Sequence, residues 1–389
     1  MSPPLARNPA EAEILGRIAR RGAIPFVEFM ELALYHPEGG YYSRPGATTG
    51  PSGDFSTMPD VSPDFGRRLA VQAAEVHDRL GGGTWRLVEL GPGRGLMAVD
   101  LLEGLARHAP DAFRALAELV LVERSPSLRE VQRRRLAAAA PGTPVRWATS
   151  LAELPEGSIR GVVVGNEVLD ALPVHLVVRT GEGIGERWVT VDETGRLAFR
   201  DGPVTDPAVR ILAEKYGVVP RVGDRGEVCP ALADLVRDVS RVLAAGAAIF
   251  VDYGHPAAVL GDERHREGTL LAYHRHRVTD DLLARPGEQD LTAHVNWDHL
   301  EDAARAAGLE VAGRTTQDRF LLALGIVEDM LAPGNGDDAA GLARALAARS
   351  LVLPGPGAGK RFEVEVFVRG IEPDLRGLAD PFAGLGIFS

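Results

Sequence analysis

Glu89, Gly91, Gly93, Gly95 and Glu123 are the residues whose types and spacing most directly imply chemistry. The run WRLVELGPGRG, Trp85 to Gly95, is apolar up to an acid and then breaks into glycines two residues apart. Glycine removes the side chain where backbone must turn sharply and approach a ligand closely. The stretch therefore predicts a strand entering a nucleotide-binding turn, with LMAVDLLEGLARH as the helix beyond it. A second apolar run, Leu119 to Val122, stops at Glu123, about 30 residues past the first glycine, where an acid in a doubly wound fold hydrogen-bonds the ribose hydroxyls of an adenosine ligand. Leu96 stands where a dinucleotide fingerprint would place its third glycine, which points away from NAD and suits S-adenosylmethionine. A plainer alternative leaves Glu89 and Glu123 as solvated carboxylates at strand ends.

In an open wound sheet, ligands lie beyond the carboxyl ends of the strands. Three stretches should occupy that rim: GPGRG with Pro92, GNEVLDALP from Gly165 to Pro173, and DYGH from Asp252 to His255. They are expected to bring Asn166, Glu167, Asp170, Tyr253 and His255 toward the cofactor. Displacement of a methyl group from a sulfonium needs positioning, partial exclusion of water and a place for the acceptor's proton. If the acceptor is arginine, its planar cationic guanidinium would be oriented by carboxylates that pair with it bidentately. Glu167 and Asp170 are spaced to begin such a clamp, and Asp54 could add to it. Asp54 lies in the Gly39 to Pro63 loop with Tyr41, Tyr42, Phe55, Ser56 and Thr57, and a loop of that length suits a functional lid or a disordered segment. His294, in QDLTAHV, is expected near the acceptor, to accept a proton or shape the pocket. The alternative reading makes NEVLDALP a capped helix start with Asp170 exposed.

His274, His276, His294 and His299, with Asp290 and Asp298 among them, have spacings that could hold a metal. No compact ligand motif such as HExxH accompanies them, so satisfied or surface histidines are expected, and no metal.

These residues need a scaffold that presents strand ends on one rim, and the chain supplies its pattern. Helical periodicity runs from Ala10 to Leu34 and again from Asp64 to Leu80. Apolar runs at Leu87 to Leu90, Leu119 to Glu123, Val145 to Trp147, Gly161 to Val164 and Ala247 to Asp252 alternate with helical segments, which predicts a parallel sheet covered on both faces. HLVVRTGEGIGERWVTVDETGRLAF alternates apolar and polar residues around glycine-bearing turns and reads as an antiparallel hairpin inserted into the wound sheet. A helix is expected from Ala231 to Ala245, a further strand from Gly308, a surface loop from Leu331 to Ala339, a turn at GPGAG and a last strand from Arg361 to Arg369. The fold class is thus α/β, a doubly wound sheet with an N-terminal helical region and inserted antiparallel and helical segments. The organisation reads as a helical region and active-site loop at 1–84, the first part of the sheet at 85–175, a hairpin insertion at 176–230, more sheet at 231–268, a His- and Arg-rich insertion at 269–297, and the final part of the sheet and a tail at 298–389.

At 389 residues, 45% hydrophobic and 25% charged, the chain can bury a sizeable core. Its net charge of −11 argues against broad attachment to nucleic acid or to anionic membrane. The single cysteine, Cys229, excludes an intramolecular disulfide framework and a multi-cysteine metal site. No apolar run is long enough to span a bilayer and the first residues lack a signal pattern, so a soluble, cytoplasmic protein is expected.

GGYYSR, GDFSTMPDVSPDFG, LVELGPGRGLMAVDLL, NEVLDALPVH, EVCPA, VDYGH, QDLTAHVNWDHL, TQDRFLLALGI and RFEVEVFVRG, in this order along most of the chain, resemble the MidA-like methyltransferases, a family that includes a mitochondrial arginine methyltransferase. The resemblance implies an S-adenosylmethionine-dependent methyltransferase with a class I wound sheet and helical and hairpin additions. It implies cofactor contacts at Glu89, Gly91, Gly93, Gly95 and Glu123, and an acidic rim of Asp54, Asn166, Glu167 and Asp170. Ser150 falls in the usual adenine-contact region, yet neither Thr149 nor Ser150 is acidic, so a backbone carbonyl would have to serve the adenine amine. The expected activity is methylation of a protein side chain, an arginine nitrogen by resemblance, with Asp54, Glu167, Asp170 and His294 catalytic and Tyr41, Tyr42, Tyr253 and His255 contacting substrate. A small-molecule or peptide acceptor and a cofactor-binding assembly scaffold stay open as alternatives, as does a homo-oligomer.

Overall fold

Trp85–Leu90 forms strand β1, and every residue but Arg86 is buried, as in a parallel strand covered on both faces. A computed structural model of the chain describes residues 6–44, 50, 53–54, 56–331, 339–353 and 362–383. The expected GPGAG turn, Phe55, Arg361 and most of the expected loop from Leu331 to Ala339 lie outside the described residues. Strands β2 (Leu116–Val122), β3 (Val145–Ala148), β4 (Ile159–Asn166), β5 (Leu243–Asp252), β6 (Glu310–Thr316) and β7 (Glu363–Arg369) join β1 in a seven-stranded sheet of order β6-β7-β5-β4-β1-β2-β3. Pairing is parallel from β3 across to β5, whereas β7 runs antiparallel between β5 and β6. Strand order reverses on either side of β1, which puts a ligand crevice beyond the carboxyl ends of β1 and β4.

Helices α1 (Asp64–Arg79), α2 (Leu96–His108) and α3 (Pro126–Ala139) belong to the same layered unit. A Cβ on Gly104 of α2 would stand 2.7 Å from Cα of Arg67, so glycine is what permits α1 and α2 to approach this closely. Ser125 caps α3, its hydroxyl accepting from the Leu128 amide, and Pro126 takes the first helical position. Leu87, Leu101, Leu105, Leu121, Val164, Ile249 and Val364 form part of the core between these layers.

The helix expected through Ala245 ends at Val242, and β5 begins at Leu243. Alanine favours helix locally, but Ala245 and Gly246 pair with Arg160 and Gly161 of β4, and the ladder overrides that propensity.

The chain forms two compact units, one of residues Ser56–Val168, Val236–Tyr253 and Ala304–Ser389 carrying the seven-stranded sheet, the other of Met1–Phe55, Leu169–Leu235 and Gly254–Ala303. In the latter, Asn8 caps helix Pro9–Arg21, and helix Phe26–Tyr35 follows. His175–Thr180, Gly183–Val191 and Leu197–Gly202 do not enter the wound sheet, contrary to expectation. They form a separate antiparallel sheet with Ile24–Pro25 and Arg225–Val228. The physical reason is packing: Leu176 and Val189 of the hairpin bury against Ile14, Phe26 and Phe29 of the N-terminal helices. Leu271–His274, Arg277–Thr279 and Asp290–Thr292 make a three-stranded sheet, and Gly254–His255 pairs in parallel with Val295–Asn296. Among the described residues, no helix is long and apolar enough to cross a membrane.

Candidate active site

Gly91, Gly93 and Gly95 adopt φ values of 57°, 51° and 74°, left-handed backbone that glycine enters without steric cost. A Cβ on Gly91 would press on Val168 at 3.0 Å, whereas one on Gly93 would project into open space, so the turn is backed on one side and open on another. Gln132 of α3 braces it: Nε2 donates to the Gly93 carbonyl at 2.7 Å and to Glu123 Oε2 at 3.2 Å, while Oε1 accepts from the Trp147 indole. Arg94 is held by Asp60, and Pro92 is buried. Nothing in the sequence marked Gln132, which sits among arginines in an ordinary helical pattern. Its role depends on α3 lying against the turn.

Glu89, one residue before the end of β1, is almost fully buried, and its Oε2 has no hydrogen-bond partner among the described residues. Burial, then the neighbouring Asp100 and Glu123 carboxyls, push its pKa to about 8. Glu123, also raised by burial, accepts from the Ser125 amide at 2.8 Å. Neither acid is a solvated strand-end carboxylate. At the end of β4, Asn166 donates to Glu167 Oε1 at 3.0 Å and keeps a buried Oδ1 with no hydrogen-bond partner among the described residues. Glu167 has φ of 53°, strained for a residue with a side chain, and Oε1 also accepts from the Met58 amide. Asp252 ends β5 with its carboxylate on the Val168 and Tyr253 amides, which ties the ends of β4 and β5 together. Tyr253 meets Phe362 edge to face, and Ser150 is exposed after β3. An adenosyl amino acid brings hydroxyl and ammonium donors and needs close backbone. The open glycine turn and the two buried acceptors fit it.

In the other unit, a second polar group forms around Asp54, Asp170 and Asp290, all buried. The Tyr41 phenol donates to Asp54 Oδ2 at 3.0 Å, and the Tyr42 phenol donates to Asp290 Oδ1 at 2.8 Å. Tyr42 stacks on Tyr35 and meets Tyr41 edge to face. Both tyrosines, expected at the substrate, thus hold carboxylates. Asp290 is the residue that sequence reading passed over as a member of the site. It sat in the His-rich insertion, and only the strand Asp290–Thr292 brings it to Tyr42. Burial, then the negative charges of Asp170 and Asp54, raise it to about 7, against the pull of the Tyr42 phenol. Ala293 donates its amide to the Asp170 carbonyl, so the chain segments carrying Asp170 and Asp290 are stitched together.

Asp54 has a second task. Its Oδ1 accepts from the Arg275 amide at 2.6 Å and its carbonyl from the His276 amide at 2.9 Å, where both residues have positive φ in a tight hairpin turn. Asp54→Ala is expected to lower stability by about 1–3 kcal/mol through the orphaned Tyr41 hydroxyl and Arg275 amide. Thermal denaturation alongside turnover reads both effects, and an unchanged melting temperature would contradict this bracing.

The histidines regroup. His274 bonds to the Glu288 carbonyl, His276 occupies the turn, and His299 packs on Tyr216. His255 and His294, expected singly at the acceptor, come together instead with His265, with ring centroids 5.0 Å apart for His255 and His294 and 5.1 Å for His255 and His265. Burial, then the neighbouring imidazoles, lower the His294 pKa to about 4, so it is neutral at pH 7. The sequence reading did not anticipate this grouping. It arises because the parallel pairing of Gly254–His255 with Val295–Asn296 joins segments far apart in sequence. Cys229 is a half-buried thiol whose pKa is pushed up to about 12 by desolvation, unsuited to nucleophilic work at neutral pH.

A wound sheet with one antiparallel strand, a glycine turn at its switch point and buried acceptors beside that turn define a class I S-adenosylmethionine-dependent methyltransferase. The chain belongs to the S-adenosyl-L-methionine-dependent methyltransferase family whose model matches residues 68–315. A crystal structure of a superfamily member and methyl transferase candidate from Burkholderia thailandensis, bound to S-adenosyl-homocysteine, is 37% identical with a TM-score of 0.85, over 96% of this chain and 94% of that one. The mitochondrial protein arginine methyltransferase NDUFAF7 of Mus musculus is 30% identical over 344 residues, 82% of this chain and 74% of its own length. That of Homo sapiens is 29% identical over 342 residues, with the same coverage. The cytoplasmic expectation is overturned here, because these relatives are mitochondrial. Composition carries no information about compartment, since an address is read by receptors and not by the fold.

Proposed function

We propose that the methyl acceptor is a protein side chain, an arginine guanidine nitrogen, recognised by Asp170 and Asp290 with Asp54 behind them. The observation that carries this reading is the gathering of three buried carboxyl groups clasped by two phenols. Arg44 already stands 3.6 Å from Asp54 Oδ2, and an incoming cation would further offset the cost of burying these carboxyl groups together. The names of the relatives as protein arginine methyltransferases support the same acceptor. In this reading Glu89, Asn166, Glu123 and the Gly91–Gly95 turn with Pro92 hold the cofactor, and Glu167 positions Asn166. When bound, S-adenosylmethionine supplies an electrophilic methyl group on positively charged sulfur. The carboxylates would fix the guanidinium plane, and an ionised member of this set would take the proton that the nitrogen gives up when the methyl leaves the sulfonium sulfur for it, the thioether being the leaving group. A carboxyl titrating near 7, as Asp290 does, is matched to that transfer.

The test is transfer of labelled methyl from S-adenosylmethionine into fractionated extract with the full chain, followed by acid hydrolysis of the labelled material. Label recovered as methylarginine supports the reading. Label in a small metabolite, or in another amino acid, overturns it in favour of that acceptor.

A further inference from the structure

We propose that His255, His265 and His294 bind a single late first-row divalent metal ion, zinc foremost, with a fourth position open to water. One donor nitrogen from each ring lies within 4.8 Å of the others. Imidazole nitrogens on a zinc ion at about 2.0–2.1 Å stand roughly 3.4 Å apart, so each ring has to close by less than about 1 Å, a small side-chain rotation. The three residues come from separate places: His255 from the short strand Gly254–His255, His265 from the 3-10 turn Glu263–His265, and His294 from the residue before strand Val295–Asn296. The backbone pairing of Gly254 with Val295 holds two of these places in register before any metal arrives.

His265 already holds one ring nitrogen against protein acceptors. Its Nδ1 faces the Val259 carbonyl at 2.9 Å and Asp262 Oδ1 at 3.3 Å, both acceptors, so in the neutral tautomer these contacts favour, Nε2 is the nitrogen with a lone pair for a metal. Metal-bound histidines commonly donate their second nitrogen to a carbonyl or carboxylate in this way, which fixes the tautomer and raises the basicity of the ligating nitrogen. A set of three imidazole nitrogens suits zinc, nickel, copper or cobalt better than calcium or magnesium, which take oxygen ligands. With three protein ligands the ion would keep a free coordination position. It would also pin the segment from His255 to His294, whose neighbour Ala293 is bonded to the Asp170 carbonyl.

The experiment uses the full chain, stripped with chelator and titrated with Co(II), whose tetrahedral complexes have intense visible absorption, and with Zn(II) in competition. The expected result is one Co(II) per chain with tetrahedral bands, bleached by one equivalent of Zn(II), and a higher melting temperature with Zn(II). His265→Gln should weaken binding by at least about 100-fold, and Asp262→Asn by about 10-fold, since outer partners of a ligand typically matter by 10- to 100-fold. The exposed-turn variant His276→Ala should bind as the parent does. Circular dichroism of each variant establishes folding, and His255→Gln replaces His265→Gln if the latter fails to fold. Absence of stoichiometric binding by the parent chain, or equal binding by folded His265→Gln, overturns the proposal. Neither readout depends on methyl transfer.

Discussion

Asp290→Asn is expected to lower kcat/KM for a guanidinium-bearing acceptor by at least about 30-fold, roughly 2 kcal/mol or more, the scale of removing one partner of a buried charge pair. Asparagine keeps the size of the side chain and an oxygen for the Tyr42 phenol, which donates to Asp290 Oδ1 at 2.8 Å, so only the charge is removed. Affinity for S-adenosylmethionine should stay within about twofold, because the substitution keeps the size of a side chain that is not among the residues assigned to the cofactor. Steady-state kinetics with calorimetric binding of the cofactor reads both quantities. Parent-like kcat/KM in a folded Asp290→Asn would remove the carboxylate set from acceptor recognition and return the choice to a scaffold or a differently held substrate. The pH dependence has a definite sign. Asp290 is raised from 3.8 to about 7, so the folded state holds a proton that the unfolded chain releases. Its contribution to stability is complete below pH 3.8 and is lost as pH rises through about 7. The variant lacks this loss, and its melting temperature should exceed that of the parent above pH 7, with the difference shrinking toward pH 4. Acceptor binding by the parent should tighten over the same rise, as the carboxylate that meets the cation forms.

Glu89→Gln should have the complementary outcome. Cofactor affinity is expected to fall by about 10- to 100-fold, since hydrogen bonds to a charged group contribute about 1.5–3 kcal/mol. Glu89 Oε2 is the buried acceptor at the foot of the glycine turn, and Gln132, Glu123 and the turn itself stay in place around it. The chain should become more stable at the same time. Glu89 is raised from 4.5 to about 8 by burial and by Asp100 and Glu123, so the parent loses stability as pH rises through about 8, and glutamine does not titrate. Greater stability with weaker binding is the signature of a group kept for ligand and not for fold. Cofactor binding to the parent at pH 7 should also release protons, visible as a dependence of calorimetric heat on the ionisation enthalpy of the buffer. Unchanged affinity in Glu89→Gln would take this carboxyl out of the cofactor site. Together the two variants separate donor from acceptor: one should fail in binding the cofactor, the other in using it.

What could be read from residue order alone was local in origin. The glycines at 91, 93 and 95 declare a turn because only a residue without Cβ sits easily at those φ values. Strands such as Leu119 to Val122 and Gly161 to Val164 declare themselves through unbroken apolar runs that only a sheet covered on both faces can bury. The alternation of these runs with helical periodicity points to a wound sheet, and the glycine turn with Leu96 at the place of a third glycine, followed by Glu123 after the second strand, points to an adenosyl cofactor. Edges were less legible where alanine-rich sequence suits either state, as at Leu243 to Gly246, because ladder partners decide there.

Tertiary structure alone decided which distant side chains meet. Asp54, Asp170 and Asp290 carry no mutual spacing signal, and their association follows from the packing of the N-terminal helices, the Tyr42 phenol and the three-stranded sheet. Gln132 became a brace of the glycine turn, and Asp54 a clasp on the turn at Arg275, for the same reason. The histidines regrouped from a sequence cluster into His255, His265 and His294 because a strand pairing joins residues about 40 positions apart, and closing a loop of that length has an entropic cost that only the rest of the fold offsets. Backbone preferences act over a few residues and are written in the sequence directly. Side-chain encounters across long loops depend on how the whole chain packs.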